Sequence, residues 1–357
     1  MTTSLTSASP PPSAAPRRLP RIVGHRGACG YRPELTLASF ELAARLGADS
    51  VETDLVATKD HRLVCRHDNE LSATTDIAGR PEFADRFARR VVDGRPLEGW
   101  FTEDFTLAEL QTLRARERHQ GVRRSNTIYD GRFVVPTLEE LLDLRAAQSR
   151  ARGRTLGVHL ELKHSAYFTA LGLGLESPVA DALQQAGLDS PDAPVTVQSF
   201  EIGSLMRARD DLGLSVPMVF LTEDGIPPDL VGTAHERTYA DLLTPAGLRL
   251  VGAWATGIGP AKEQVIPRRA DGSLAGPTRV TRDAHDAGLT VSVWTFAAEN
   301  AWLPTDLRKG EHLADYGNVL GEMTTYLQAG IDELITDHPD IALLARADVF
   351  TPAAARA

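Results

Sequence analysis

Four short stretches of this sequence carry residues whose types and spacing could do chemistry. In SVETDLVA, Glu52 and Asp54 lie two apart, so on a strand both carboxylates leave the same face. VHLELK repeats the pattern with Glu161 and Lys163. Three carboxylates gathered at one place would repel one another and would be costly to bury unless a cation joins them. An all-oxygen donor set favours a hard ion, Mg²⁺ or Ca²⁺, over zinc, and no Cys/His spacing of a zinc site competes with it. His25, in IVGHRG, and His67, in CRHDN, each follow a short apolar segment. Two imidazoles at one site suit general acid–base work, one taking a proton and the other giving one to a leaving group. Arg26 offers a forked donor for a phosphate and Lys163 a compact charge. On a chain of formal charge −10, an anionic substrate would need such local positive charge, and neither nucleic acid nor an anionic membrane is expected as the main partner.

The elements that must position these residues alternate. Short apolar runs predict strands over 21–24, 50–57, 62–66, 155–162, 195–199, 215–221, 248–256, 290–296 and 333–336. Helical patterns over 36–46, 137–148, 178–186, 202–209, 278–287 and 312–328 separate most of them. Strands alternating with helices imply a parallel sheet, because parallel neighbours need long crossovers. Roughly eight such units without a break predict an α/β fold closed as a (β/α)8 TIM barrel, with a doubly wound sheet as the alternative. In such a barrel the site lies at the C-terminal ends of the strands, where the chemistry-bearing residues above fall.

With 357 residues, 42% of them hydrophobic and 24% charged, the chain can build a sizeable core. Residues 1–20, rich in Ser, Thr and Pro and without an apolar core, read as a disordered leader rather than a secretory signal. Residues 21–346 form the predicted barrel and 347–357 a C-terminal tail. The polar, Arg-rich stretch 72–135 is too long for a simple connection. It is expected to be an insertion subdomain after the second strand region, lying over one barrel end. Its arginines (Arg86, Arg89, Arg90, Arg114, Arg116, Arg118) are expected on a solvated face, with Phe83, Phe87, Trp100 and Phe101 as its own small core. Cys29 and Cys65 are too few for a disulfide framework and are expected as free thiols, with a single bridge as the alternative. No stretch approaches the ~20 apolar residues of a membrane span.

The run HRGACGYRPELTLASFELAARLGADSVETDLVATKDHRLVCRHD resembles the opening of glycerophosphodiester phosphodiesterases: HRG, a PE-x-T motif, an E-x-D pair and HD about a dozen residues on. Leu35 departs from that pattern, which has Asn or His at the third position of PE-x-T. Downstream, LELK, QSF, VSVWTF and ITDHP resemble further strands of the family, and TTDIA, GWFTEDFTLAEL and VPTLEELLDL resemble the insertion of its longer, periplasmic-type bacterial members. The resemblance implies a (β/α)8 barrel and metal-dependent hydrolysis of small-molecule glycerophosphodiesters to glycerol 3-phosphate and an alcohol. It implies His25 and His67 as the acid–base pair and Glu52, Asp54 and Glu161 as metal ligands. Arg26 and Lys163 would contact phosphate, Trp294 would wall the glycerol end, and Gln198 would line the pocket. The alternatives are a barrel phospholipase of the phosphatidylinositol or sphingomyelin type with a similar histidine pair, a catalytically silent barrel binding protein, and an unrelated metal barrel such as an aldolase or sugar isomerase, with Lys163 then a Schiff-base lysine. A cytoplasmic location is expected from the leader, a periplasmic or secreted one from the insertion. The head group and oligomeric state stay open.

Overall fold

The computed structural model describes residues 19–351. Eleven strands are present among them: β1 Arg21–Gly24, β2 Ser50–Ala57, β3 Leu63–Cys65, β4 Ala88–Val92, β5 Arg95–Gly99, β6 Gly157–Leu162, β7 Val195–Ser199, β8 Met218–Thr222, β9 Gly257–Pro260, β10 Thr290–Phe296 and β11 Glu333–Thr336. Eight of them pair in parallel in the order β1-β2-β6-β7-β8-β9-β10-β11, and β11 pairs back onto β1 through Arg21↔Glu333 to Gly24↔Thr336. The sheet closes on itself, with helices around it, as the (β/α)8 barrel predicted. The described part of the chain contains no helix long and apolar enough to cross a membrane.

The strand expected at 62–66 is not a barrel stave. It forms β3, antiparallel to the end of β2 through Leu55↔Cys65 and Ala57↔Leu63. The other departure is the strand expected at 248–256. Its first four residues end a helix, Pro245–Val251, capped by Thr244 accepting from Gly247 N, with Pro at its first position, and the rest turn toward the next strand. Leu248 and Val251, three apart, are buried while Leu250 is exposed, which is a helical and not a strand period. The true stave is β9, GIGP, whose composition is among the poorest for a strand. It is needed there because the neighbours crowd it. A Cβ at Gly257 would meet Thr290 Oγ1 at 2.3 Å, and one at Gly259 would meet Leu221 Cδ2 at 2.4 Å.

Helix ends follow local chemistry. Thr36 caps Leu37–Arg45, and Thr137 with Glu140 makes a reciprocal cap for Leu138–Arg152. That helix runs one turn beyond the expected 148, until Gly153 turns left-handed. Asn318 caps Val319–Gln328 and leaves 312–317 irregular. The last helix, Pro339–Phe350, continues past Arg346. Of the expected leader and tail, residues 1–18 and 352–357 lie outside the described residues.

Between β3 and the helix at Leu138, the chain forms the β4–β5 hairpin, turned at Asp93-Gly94 with both residues at positive φ. Short 3₁₀ turns and the helix Leu107–Leu110 complete the segment. Phe83 packs edge-on against Phe105 at 5.1 Å, and Phe87, half-exposed, against Trp100 at 5.0 Å. Phe83, Phe105, Ile77 and Leu110 are continuous with the barrel core rather than a separate one. The hairpin residues Val92, Asp93, Arg95, Leu97 and Glu98 line the same cavity as His67 and Lys163, so the insertion overhangs the C-terminal mouth of the barrel.

Candidate active site

The end of β1 turns sharply. Arg26 at φ 51° and Gly27 at φ 87° are both left-handed, and a Cβ on Gly27 would lie 2.5 Å from the Ser39 carbonyl carbon, so only glycine fits. The turn aims the Arg26 backbone N–H at Glu52 Oε2, 2.8 Å away, and the guanidinium at Asp54 Oδ2 (3.2 Å) and Glu34 Oε2 (3.1 Å). Leu35 follows at φ 55°, buried, with its N–H donating to Arg26 O. This left-handed geometry suits the Asn common at that position in the family pattern better than Leu.

Glu52, Asp54 and Glu161 bring one oxygen each to within 4.8 Å of one another, and all three are buried. Lys163 Nζ sits 2.7 Å from Glu161 Oε1 and 4.0 Å from Asp54 Oδ1. Two cations thus face three carboxylates. Glu161 Oε1 accepts from Lys163, whereas Asp54 Oδ2 has only its charge contact with Arg26 and accepts no hydrogen bond. Burial, then the charges of Asp54 and Glu161, push the Glu52 carboxyl well above its ordinary value. The oxygen-only donors, the unbonded Asp54 oxygen and the excess negative charge fit a hard divalent cation. Burial would lower the Lys163 ammonium, but Glu161 and Asp54 more than offset this and raise it. A Schiff-base lysine needs the opposite.

His67 has Nδ1 2.6 Å from Asp68 Oδ1 and Nε2 3.3 Å from Lys163 Nζ. The lysine can only donate, so the ring proton belongs on Nδ1. Burial, then the positive charges of Arg26 and Lys163, push this imidazole down to about 4, leaving Nε2 with a lone pair at neutral pH. Asp68 Oδ2 in turn accepts from Arg118 Nη1 at 2.7 Å, and Arg118 also clasps Glu34 at 2.6 and 2.8 Å.

His25 has its backbone N–H on Thr336 O and its Nδ1 2.6 Å from Asp337 Oδ1. The other oxygen of Asp337 accepts from Arg123, whose Nε binds Glu299 at 2.6 Å and whose Nη1 donates to Cys29 O at 3.1 Å. Burial would raise the Asp337 carboxyl, yet Arg123 and His25 hold it well below its ordinary range. Cys29 and Cys65 are free, buried thiols.

A cavity of about 720 Å³ is lined by His25, Arg26, Glu52, His67, Glu161, Lys163, Gln198 and Trp294, among others. Asp54 lies beneath it, against Arg26 and Lys163. Gln198 is buried at the cavity wall. Trp294 is held by Nε1 donating to Gly259 O at 2.7 Å and meets Phe200 edge-on at 5.6 Å. All nine residues singled out in the sequence therefore converge. Sequence reasoning missed Glu34, Arg118, Arg123, Asp337 and Glu201, the last with its carboxyl pushed up to about 8 by burial. Glu34 and Asp337 sat within quoted motifs, PELT and ITDHP. Arg118, expected on a solvated face, is instead mostly buried in ion pairs.

The sequence model of the glycerophosphoryl diester phosphodiesterase family matches residues 25–341. The chain belongs to this family. A glycerophosphodiester phosphodiesterase of Arabidopsis thaliana is 31% identical over 330 residues, 89% of this chain and 83% of that protein. One of Treponema pallidum is 28% identical over 345 residues, 90% of each. Among solved structures, an Oleispira antarctica phosphodiesterase in complex with the product sn-glycerol-3-phosphate aligns with TM-score 0.57 at 20% identity, over 92% of this chain and 96% of that one. A glycerophosphodiester phosphodiesterase from Agrobacterium tumefaciens aligns with TM-score 0.53 at 21% identity, over 91% and 99%. Both share the barrel, and the phosphodiesterase family read from the sequence motifs stands.

Proposed function

We propose that this phosphodiesterase hydrolyses small-molecule glycerophosphodiesters to glycerol 3-phosphate and an alcohol, with His25 and His67 as its acid–base pair and a divalent cation, Mg²⁺ or Ca²⁺, at Glu52, Asp54 and Glu161. The observation that carries this reading is the convergence of two carboxylate-paired imidazoles with an unbalanced trio of buried carboxylates in one cavity. The product bound by the Oleispira antarctica relative supports glycerol 3-phosphate as the retained half.

A cation in the carboxylate trio would polarise a non-bridging phosphate oxygen. The chain's own residues supply the rest. Arg26 and Lys163 offset the remaining phosphate charge and orient the diester. One histidine accepts the proton of the attacking oxygen, a water or the substrate's own glycerol 2-hydroxyl, as the new P–O bond forms. The other protonates the departing alkoxide as the old P–O bond breaks. Attack by the 2-hydroxyl gives a cyclic phosphate, which a water then opens at phosphorus, breaking the P–O2 bond, with the two histidine roles exchanged. Trp294 closes one wall and Gln198 lines the pocket.

The deciding assay measures glycerol 3-phosphate release from glycerophosphocholine through a coupled dehydrogenase. Activity is expected to vanish in EDTA and return with Mg²⁺ or Ca²⁺. Full activity in EDTA would overturn the metal half of the reading.

A further inference from the structure

Each histidine of the pair rests on a carboxylate, and each carboxylate rests on an arginine of the insertion. His25 Nδ1 meets Asp337, which accepts from Arg123. His67 Nδ1 meets Asp68, which accepts from Arg118. The two arginines stand five residues apart on one stretch of chain, yet their carboxylates come from opposite ends of the sequence. Neither arginine lines the cavity.

We propose that Arg118 and Arg123 are positioning residues for the two histidines, so that the insertion, which overhangs the barrel mouth, also sets the acid–base pair; this rests on the histidine roles proposed above. A carboxylate with two oxygens can hold an imidazole in one orientation only if its second oxygen is itself fixed. Arg123 fixes Asp337 while being held by Glu299 and by the Cys29 carbonyl, and its side chain is only 5% exposed. Arg118 fixes Asp68 while being clasped twice by Glu34. Glu34 also holds Arg26, which links this arm to the phosphate contact. Removing either arginine leaves a carboxylate free to rotate and the imidazole free to follow. The reacting geometry then degrades without loss of any group that touches substrate. A displacement of about 1 Å at a reacting group can cost ~10²-fold.

The test uses R118A and R123K. Lysine at 123 keeps the buried charge but cannot bridge Asp337 and Glu299 with a fork. H25A and H67A serve as controls. Each variant is assayed, folded by circular dichroism and below its melting temperature, on glycerophosphocholine and on the p-nitrophenyl ester of glycerol 3-phosphate, whose leaving group needs no proton. Both arginine variants are expected to lose about 10–100-fold in kcat on glycerophosphocholine, with KM changed less than about twofold because the cavity wall is intact. The deficit of one variant, the one behind the general acid, should shrink on the nitrophenyl ester while the other's persists. Normal kcat in either folded variant would overturn the proposal. So would deficits that stay the same size on both substrates in both arginine variants, the mark of a merely structural role. Normal activity of H25A or H67A on glycerophosphocholine would instead sink the histidine reading beneath it.

Discussion

The two ends of the barrel both carry buried charge, and they treat it oppositely. Where the strands begin, each carboxylate is matched. Glu333 meets Arg21 at 3.3 Å, Ser292 at 2.6 Å and His159 at 3.5 Å. Asp49 accepts from the Ile22 N–H and from Arg154 and Arg346. Where the strands finish, three carboxylates share two cations, and Asp54 Oδ2 accepts no hydrogen bond. Such an imbalance in a folded chain is relieved by a proton, as the raised Glu52 carboxyl shows, or by a cation from outside it. Matched charge at one end therefore reads as stability, and unmatched charge at the other as a place for a ligand.

The sharpest way to break that comparison is to neutralise one carboxylate of the unmatched trio. E52Q is expected to lower cation-restored activity by about 10²–10³-fold. It should also abolish the rise in melting temperature that Mg²⁺ or Ca²⁺ gives the parent, a stabilisation of about 2.7 kcal/mol at a hundredfold excess over Kd. In EDTA, E52Q should be at least as stable as the parent, because an uncompensated buried charge has gone. A clear loss of metal-free stability would show that Glu52 is matched after all.

At the opposite end, D49A is expected to reverse the pattern. It should cost about 1–3 kcal/mol of stability, since charge-assisted hydrogen bonds and a backbone N–H lose their acceptor, while kcat and KM below the melting temperature stay unchanged. Chemical denaturation alongside the phosphodiesterase assay separates the two quantities.

The smallest effect is the pH dependence. Burial would raise Asp49, but the Ile22 N–H, Arg346 and Arg154 lower it. A carboxyl lowered in the folded state contributes stability that is present above its unfolded value of about 3.9 and is lost as pH falls through the lowered one. Glu333 is lowered likewise, by His159 and Arg21. Glu52 is raised, so in EDTA its penalty shrinks as pH falls from that raised value toward about 4.3. Melting curves in EDTA should therefore gain stability on mild acidification and lose it below pH ~4. D49N should flatten the acid limb and E52Q the gain. Parallel curves for all three proteins would remove the distinction between the ends.

Much of this was legible before any coordinates. Strands β1, β2, β7, β10 and β11 end where apolar runs and turn residues end, because a buried parallel strand is written as a continuous apolar segment. The paired Glu52 and Asp54 interrupt such a segment, and that interruption is what exposed the site. β9 was illegible because its sequence answers to its neighbours: Gly257 and Gly259 are there for Thr290 and Leu221, a tertiary demand with no local signature. The helix at Pro245 was legible in principle, through its Thr-Pro start and the three-residue step from Leu248 to Val251. Arg118 and Arg123 were not. An arginine that crosses 84 residues to Glu34, or 214 to Asp337, looks in sequence like any other in a polar stretch.

The ring closure between β1 and β11 also imposes an order in time. His25 is among the first barrel residues made, and Asp337, which holds it, among the last, 312 positions later. On the proposed chemistry, a nascent chain emerging from the ribosome keeps an incomplete acid–base pair through nearly all of its synthesis. Hydrolysis then begins only after the last stave has been translated and seated, so the working enzyme is born all at once.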